Sequence, residues 1–99
     1  MSGMTPEGKV KKKVKTCLEL MGAYYVMPIG TGYGNAGAPD FLACYKGRYI
    51  GIETKAGKGK PTALQLSNLD KIIETGGVAL VINEDNVDSL KTIILESMK

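Results

Sequence analysis

Apolar residues recur along this chain with two different periods, and the points where the period changes mark out its elements. Val10, Val14, Cys17, Leu18 and Met21 fall at helical spacing, with lysines elsewhere around the cylinder. Thr5 and Pro6 predict where that helix starts, because a threonine hydroxyl caps free amides and proline is tolerated in a first turn. Gly22 predicts its end. Ala23 to Ile29 is a short apolar run with Tyr24, Tyr25 and Val26, the pattern of a first strand. A glycine-rich loop, 30–37, follows it. Phe41 to Tyr45 and Tyr49 to Ile52 are rich in β-formers and flank Lys46-Gly47, a two-residue turn. That turn predicts a hairpin pairing Tyr45 with Arg48, Ala43 with Ile50, Phe41 with Ile52 and Asp40 with Glu53.

The second half returns to helical spacing. After a basic loop, Pro61 is expected to open a helix with Leu66, Leu69, Ile72 and Ile73 as its buried stripe and Gly76-Gly77 as its end. Val78 to Ile82 is continuously apolar, as expected of a strand buried on both faces. Residues 83–86 make a turn, and Val87, Leu90, Ile93, Ile94 and Met98 form a last amphipathic helix. The order α-β-β-β-α-β-α predicts an α/β fold with a mixed sheet flanked by helices. Its second and third strands form a hairpin, and its fourth returns through a helix.

The hairpin register has a chemical consequence. Directly opposed residues on antiparallel strands place their β-carbons about 5 Å apart, and like charges there repel. Asp40 and Glu53 are such a pair, and Lys55, two residues on, projects from the same face as Glu53. Two carboxylates forced together beside an ammonium are costly unless a cation binds them, so the pattern predicts a divalent-metal site. Mg²⁺ or Mn²⁺ suits it, being hard cations that prefer carboxylate and water oxygens.

Composition narrows the partners. Ninety-nine residues make one domain, 1–99, with room for a single modest core. The net charge of +3 is mild, but its distribution is uneven. Lys9, Lys11, Lys12, Lys13 and Lys15 crowd the first helix, and Lys55, Lys58 and Lys60 crowd the loop after the acidic pair. Basic surface around an acidic pocket suits a polyanion held while a metal works on it. The chain contains no histidine, which removes Ser-His-Asp and Cys-His nucleophiles and histidine-ligated zinc. Cys17 and Cys44 lack metal-binding spacing and are expected to be reduced thiols in a cytoplasmic protein. No apolar run reaches membrane-spanning length, so no membrane is expected among the partners. Gly32-Tyr33-Gly34-Asn35-Ala36-Gly37 matches the dinucleotide fingerprint by letter, but Pro39-Asp40 and a strand follow where a helix should open. Gly57 to Thr62 lacks the first glycine of a phosphate-binding loop and has Pro61 in place of its hydroxyl residue.

Two further polar residues sit oddly. Glu7 lies on the apolar stripe of the first helix, three residues before Val10 and seven before Val14, and is expected to point toward the sheet. Gln65 does the same on the second helix, four residues before Leu69. A polar residue on a buried stripe needs partners. Both lie near helix starts, where they can converge on the open end of the Asp40–Glu53 pair.

A helix-borne glutamate, Pro39-Asp40, Glu53-Thr54-Lys55 on the next strand and a glutamine early in the following helix together resemble the PD-(D/E)XK nuclease superfamily. The resemblance spans roughly residues 7–83 and is nearest the VRR-NUC (virus-type replication-repair nuclease) branch, whose minimal members are stand-alone phage proteins. It implies a restriction-endonuclease-like core, with Asp40 and Glu53 as metal-binding carboxylates and the Thr54 carbonyl as a further ligand. Lys55 is then the catalytic lysine, Glu7 the helix-one acid and Gln65 the extra-motif glutamine. Thr54 departs mildly from the aliphatic residue usual between Glu and Lys. The implied activity is Mg²⁺- or Mn²⁺-dependent hydrolysis of phosphodiester bonds in branched DNA, such as four-way junctions or flaps, in a phage or bacterial host cytoplasm. Symmetric cutting of a junction requires two active sites, and hence a homodimer. The alternatives are a nuclease-fold protein that binds DNA without cutting it, and a small interaction domain whose charges are merely superficial.

Overall fold

The computed structural model describes residues 4–29 and 36–99. Helix α1 runs Pro6–Met21, and Thr5 caps it by accepting a 3.0 Å hydrogen bond from the Gly8 amide. Gly22 closes it in the left-handed region (φ 77°), a conformation that costs a glycine nothing. Strands β1 (Tyr24–Val26), β2 (Phe41–Tyr45) and β3 (Arg48–Thr54) follow, then α2 (Ala63–Glu74), β4 (Val78–Ile82), a 3₁₀ turn (Val87–Ser89) and α3 (Leu90–Ser97). The expected order therefore holds, with the last helix entered through a tighter turn. No helix among the described residues is long and apolar enough to cross a membrane.

The sheet order is β1-β2-β3-β4, with the first three strands antiparallel and β4 parallel to β3. Tyr45 pairs with Arg48, Ala43 with Ile50 and Phe41 with Ile52, the register expected from a two-residue turn. Lys46 (φ 50°) and Gly47 (φ 80°) both take positive φ, the twist that matches flanking strands. The parallel β4 needs a crossover, which α2 supplies.

One face of the sheet carries the core. Val14, Leu18, Phe41, Ile50, Ile52, Ile82, Leu90 and Ile94 are all fully buried there, between the sheet and the α1 and α3 helices. On the other face α2 lies close over β3, and Gly51 permits it: a β-carbon at that position would sit 2.6 Å from Ile72 Cδ1.

Some boundaries and faces differ from expectation. The first strand is limited to Tyr24–Val26, and the second helix begins at Ala63 with Thr62, not Pro61, at its start. Leu66 and Ile73 are 47% and 55% exposed, so α2 buries only a narrow stripe centred on Leu69. Val81 is 37% exposed, so β4 is not buried on both faces. The reason is common to both: β4 is an edge strand, and one short helix covers only part of its outer face. The glycine fingerprint lies almost wholly in residues 30–35, outside the described residues.

Candidate metal centre

The site forms where β2 begins and β3 ends. Beyond the Phe41–Ile52 pair the strands no longer make a regular ladder, and Asp40 bonds to β3 through its side chain instead. Asp40 Oδ2 accepts hydrogen bonds from the Thr54 amide at 2.9 Å and from the Thr54 hydroxyl at 2.6 Å. One carboxylate oxygen is thus fixed, and the other, Oδ1, lies 3.8 Å from the Lys11 ammonium.

Glu53 is the most strained group electrostatically. It is 2% exposed, and its Oε1 has no hydrogen-bond partner. Oε2 lies 3.6 Å from the Lys55 ammonium, whose own side chain is largely buried. Burial first, and then the negative charge of Asp40, push the Glu53 carboxyl up to about 7, against the opposing pull of Lys55; Glu7 adds a smaller upward push. A buried carboxylate oxygen without a donor is uncommon in folded proteins because it forfeits its hydration.

The other candidates are placed less simply. Glu7 is half-exposed and makes an i,i+4 ion pair with Lys11 at 3.7 Å, so its carboxylate approaches the site by way of that lysine. Lys11 therefore joins Glu7 and Asp40. Sequence reading counted it only among the basic residues of α1, although its place four residues after Glu7 on one helix was visible. Gln65 is half-buried but engaged in a capping box: its Oε1 accepts from the Thr62 amide at 2.9 Å, and its own amide donates to Thr62 Oγ1. The Thr62-x-x-Gln65 spacing announces that motif and explains why a polar residue sits at this position. The sequence also did not disclose the Thr54 hydroxyl as the anchor of Asp40.

Does the donor set suit a hard divalent cation? Among the described residues no three Asp, Glu, Cys or His side chains converge as a cage. Mg²⁺ does not require one, because it usually keeps several waters and takes one or two carboxylates. Glu53 Oε1, buried and lacking a donor beside a second carboxylate, is the kind of oxygen such an ion satisfies. The residues present fit. The loop after Lys55 is held to the far end of β4, since the Gly57 amide donates to Glu84 at 2.9 Å, and its Lys58 and Lys60 are exposed.

No protein-family model matches the sequence, and no curated protein matches it as a relative. Solved structures do. The chain superposes on a VRR_NUC domain with TM-score 0.76 at 28% identity, covering 89% of this chain and 96% of that one. A VRR_NUC domain protein matches with TM-score 0.72 at 21% identity, over 97% of this chain and 92% of the other. Archaeoglobus fulgidus Hjc, a Holliday junction resolvase from an archaeal hyperthermophile, matches with TM-score 0.56 at 20% identity over 77% and 67%. The last two likenesses bear on the fold.

Proposed function

Given that this chain has the VRR-NUC fold, we propose that it is a Mg²⁺- or Mn²⁺-dependent endonuclease that hydrolyses phosphodiester bonds in branched DNA, four-way junctions first. The observation that carries the proposal is the buried Glu53 carboxylate, whose Oε1 lacks a donor, whose Oε2 lies 3.6 Å from Lys55, and which feels the negative charge of Asp40. The Hjc neighbour, itself a Holliday junction resolvase, supports the choice of branched DNA.

Asp40 and Glu53 would hold the cation, with the Thr54 carbonyl adding a backbone oxygen. Bound there, it supplies Lewis-acid polarisation of the scissile phosphate and a more acidic water. Lys55 orients the attacking water and faces the charge that develops on phosphorus; its largely buried side chain, 3.6 Å from Glu53 Oε2, supports that role. Thr54 keeps Asp40 from swinging away, through two hydrogen bonds to a single oxygen. Glu7 adds negative charge at the mouth, by way of Lys11. Gln65 has Nε2 outside its capping box, a donor suited to water or phosphate.

With one arginine in the chain, bidentate reading of guanine is scarce, which favours recognition of shape and backbone. The homodimer required for symmetric cutting has a suitable surface on the outer face of β1 and β2, which α2 leaves uncovered. Tyr24, Cys44 and Tyr49 are opposed across three strands there, and Tyr24 (74% exposed), Val26 (45%) and Tyr49 (48%) face outward.

The test is cleavage of a labelled four-way junction beside linear duplex, single strand and flap, with Mg²⁺, Mn²⁺ or chelator. Asp40→Asn is the better variant, because Asp40→Ala also strips a buried hydroxyl and amide of their acceptor and costs about 1–3 kcal/mol of stability. Expected is metal-dependent junction cutting, reduced about 100-fold or more in Asp40→Asn and in Lys55→Ala. Junction binding without cutting in either metal would instead leave a non-catalytic DNA-binding protein.

A further inference from the structure

The flank of α1 turned away from the metal centre lines an open groove of about 770 Å³. A helix turns about 100° per residue, so Lys9, two residues from both Glu7 and Lys11, lies roughly 160° around the cylinder from each. Cys17 and Met21 form the floor with Val87, which is 4% exposed, and Leu20 stands at the side, 84% exposed. The rim carries Lys9, Lys12, Lys13 and Lys91 against a single acid, Asp88, which Lys13 already pairs at 3.2 Å. The groove follows α1 from Lys9 to Met21, a length of about 18 Å.

An apolar floor under a lysine rim discriminates among occupants. DNA phosphates use the lysines but gain nothing from burying Leu20, Cys17 and Met21. A second copy of this chain, meeting the groove across a two-fold axis, would set these lysines against themselves. An extended strand finds no sheet edge to pair with, because the walls are helical. An amphipathic helix with acidic residues flanking an apolar stripe satisfies the floor, the rim and the length together. We infer that this groove is a docking site for an acidic amphipathic helix of a partner protein, on the opposite side of α1 from the catalytic residues.

The test uses the whole chain and a fluorescein-labelled 16-residue peptide. Leucines in the peptide recur at i, i+3, i+4 and i+7, and aspartate or glutamate fills the flanks. Controls are a scrambled peptide and one with lysines replacing the acids. Binding is read by fluorescence anisotropy, with junction-DNA binding measured beside it. Expected is micromolar affinity for the acidic helix alone, weakened about tenfold or more by Leu20→Asp and by Lys91→Glu, and weakened by added salt. Both substituted residues are exposed, so the fold should survive, and thermal unfolding checks that. DNA affinity should stay within about twofold of wild type in both variants. Three results would overturn the inference: no binding at about 100 µM peptide, binding indifferent to scrambling or to both substitutions, or a loss of DNA affinity matching the loss of peptide affinity. The last would assign the groove to nucleic acid.

Discussion

Glu53→Gln separates the cost of the acidic pair from its use. The glutamate carboxyl rises from 4.5 to about 7 in the fold. At about 1.4 kcal/mol per unit, the ionised side chain costs the metal-free protein on the order of 3 kcal/mol at pH 8. The sign follows from proton affinity, since the folded protein holds this proton more tightly than the unfolded chain does. The stability Glu53 contributes is therefore complete below about pH 4.5 and is lost as pH rises to about 7, beyond which the cost is constant. Glutamine keeps the shape and removes the charge, but deprives the Lys55 ammonium, 3.6 Å away, of its partner. Allowing about 1 kcal/mol for that loss, the net gain at pH 8 is about 1–2 kcal/mol, or roughly 5–15 °C in Tm for a domain this small. Thermal unfolding by circular dichroism, in chelator, at pH 8 and at pH 4.5 measures it. Expected is a higher Tm for the variant at pH 8 and none of that advantage at pH 4.5. Saturating Mn²⁺ should raise the wild-type Tm and leave the variant unmoved. A variant no more stable than wild type at pH 8, or equally favoured at both pH values, would refute the electrostatic account of the site.

Two shorter predictions rest on neighbours of that pair. Lys11 bridges Glu7 and Asp40 at 3.7 and 3.8 Å, so it would compete with the proposed divalent cation for their oxygens. Lys11→Met should tighten Mn²⁺ binding about three- to tenfold by calorimetry; unchanged or weaker binding would show that the ammonium is irrelevant to the site. Gln65→Ala should cost about 0.5–1 kcal/mol in urea unfolding through the lost capping box, with or without metal. A metal-dependent effect on stability would instead tie Gln65 directly to the centre.

Much of the site was legible because strand pairing converts spacing into geometry. Lys46-Gly47 allows a two-residue turn, and that turn sets Phe41 against Ile52; the expected Asp40–Glu53 pair lies just past the end of the ladder, where Asp40 bonds Thr54 and its charge is still felt at Glu53. The Lys55–Glu53 contact follows from the two-residue period of a strand. Helical period put Glu7 on the buried stripe of α1, whereas its side chain is 40% exposed and pairs with Lys11 at 3.7 Å, because the first turn of the helix lies at the edge of the core. Gln65 shows the opposite case. Its burial was inferred from the apolar stripe, whereas its hydrogen bonds follow from Thr62 three residues earlier.

The element order, the hairpin register and the residue types at the acidic pair were determined by the sequence alone, because they depend on local periodicity and turn chemistry. Other properties needed the assembled fold. How far α2 shields β4 decided that Leu66, Ile73 and Val81 are exposed. The approach of Asp40 to the Thr54 hydroxyl decided which carboxylate oxygen stays available. Burial of Glu53 without a donor decided that its proton is retained to about pH 7. Desolvation and facing charges depend on every element packed around a group, and no spacing along one chain records them.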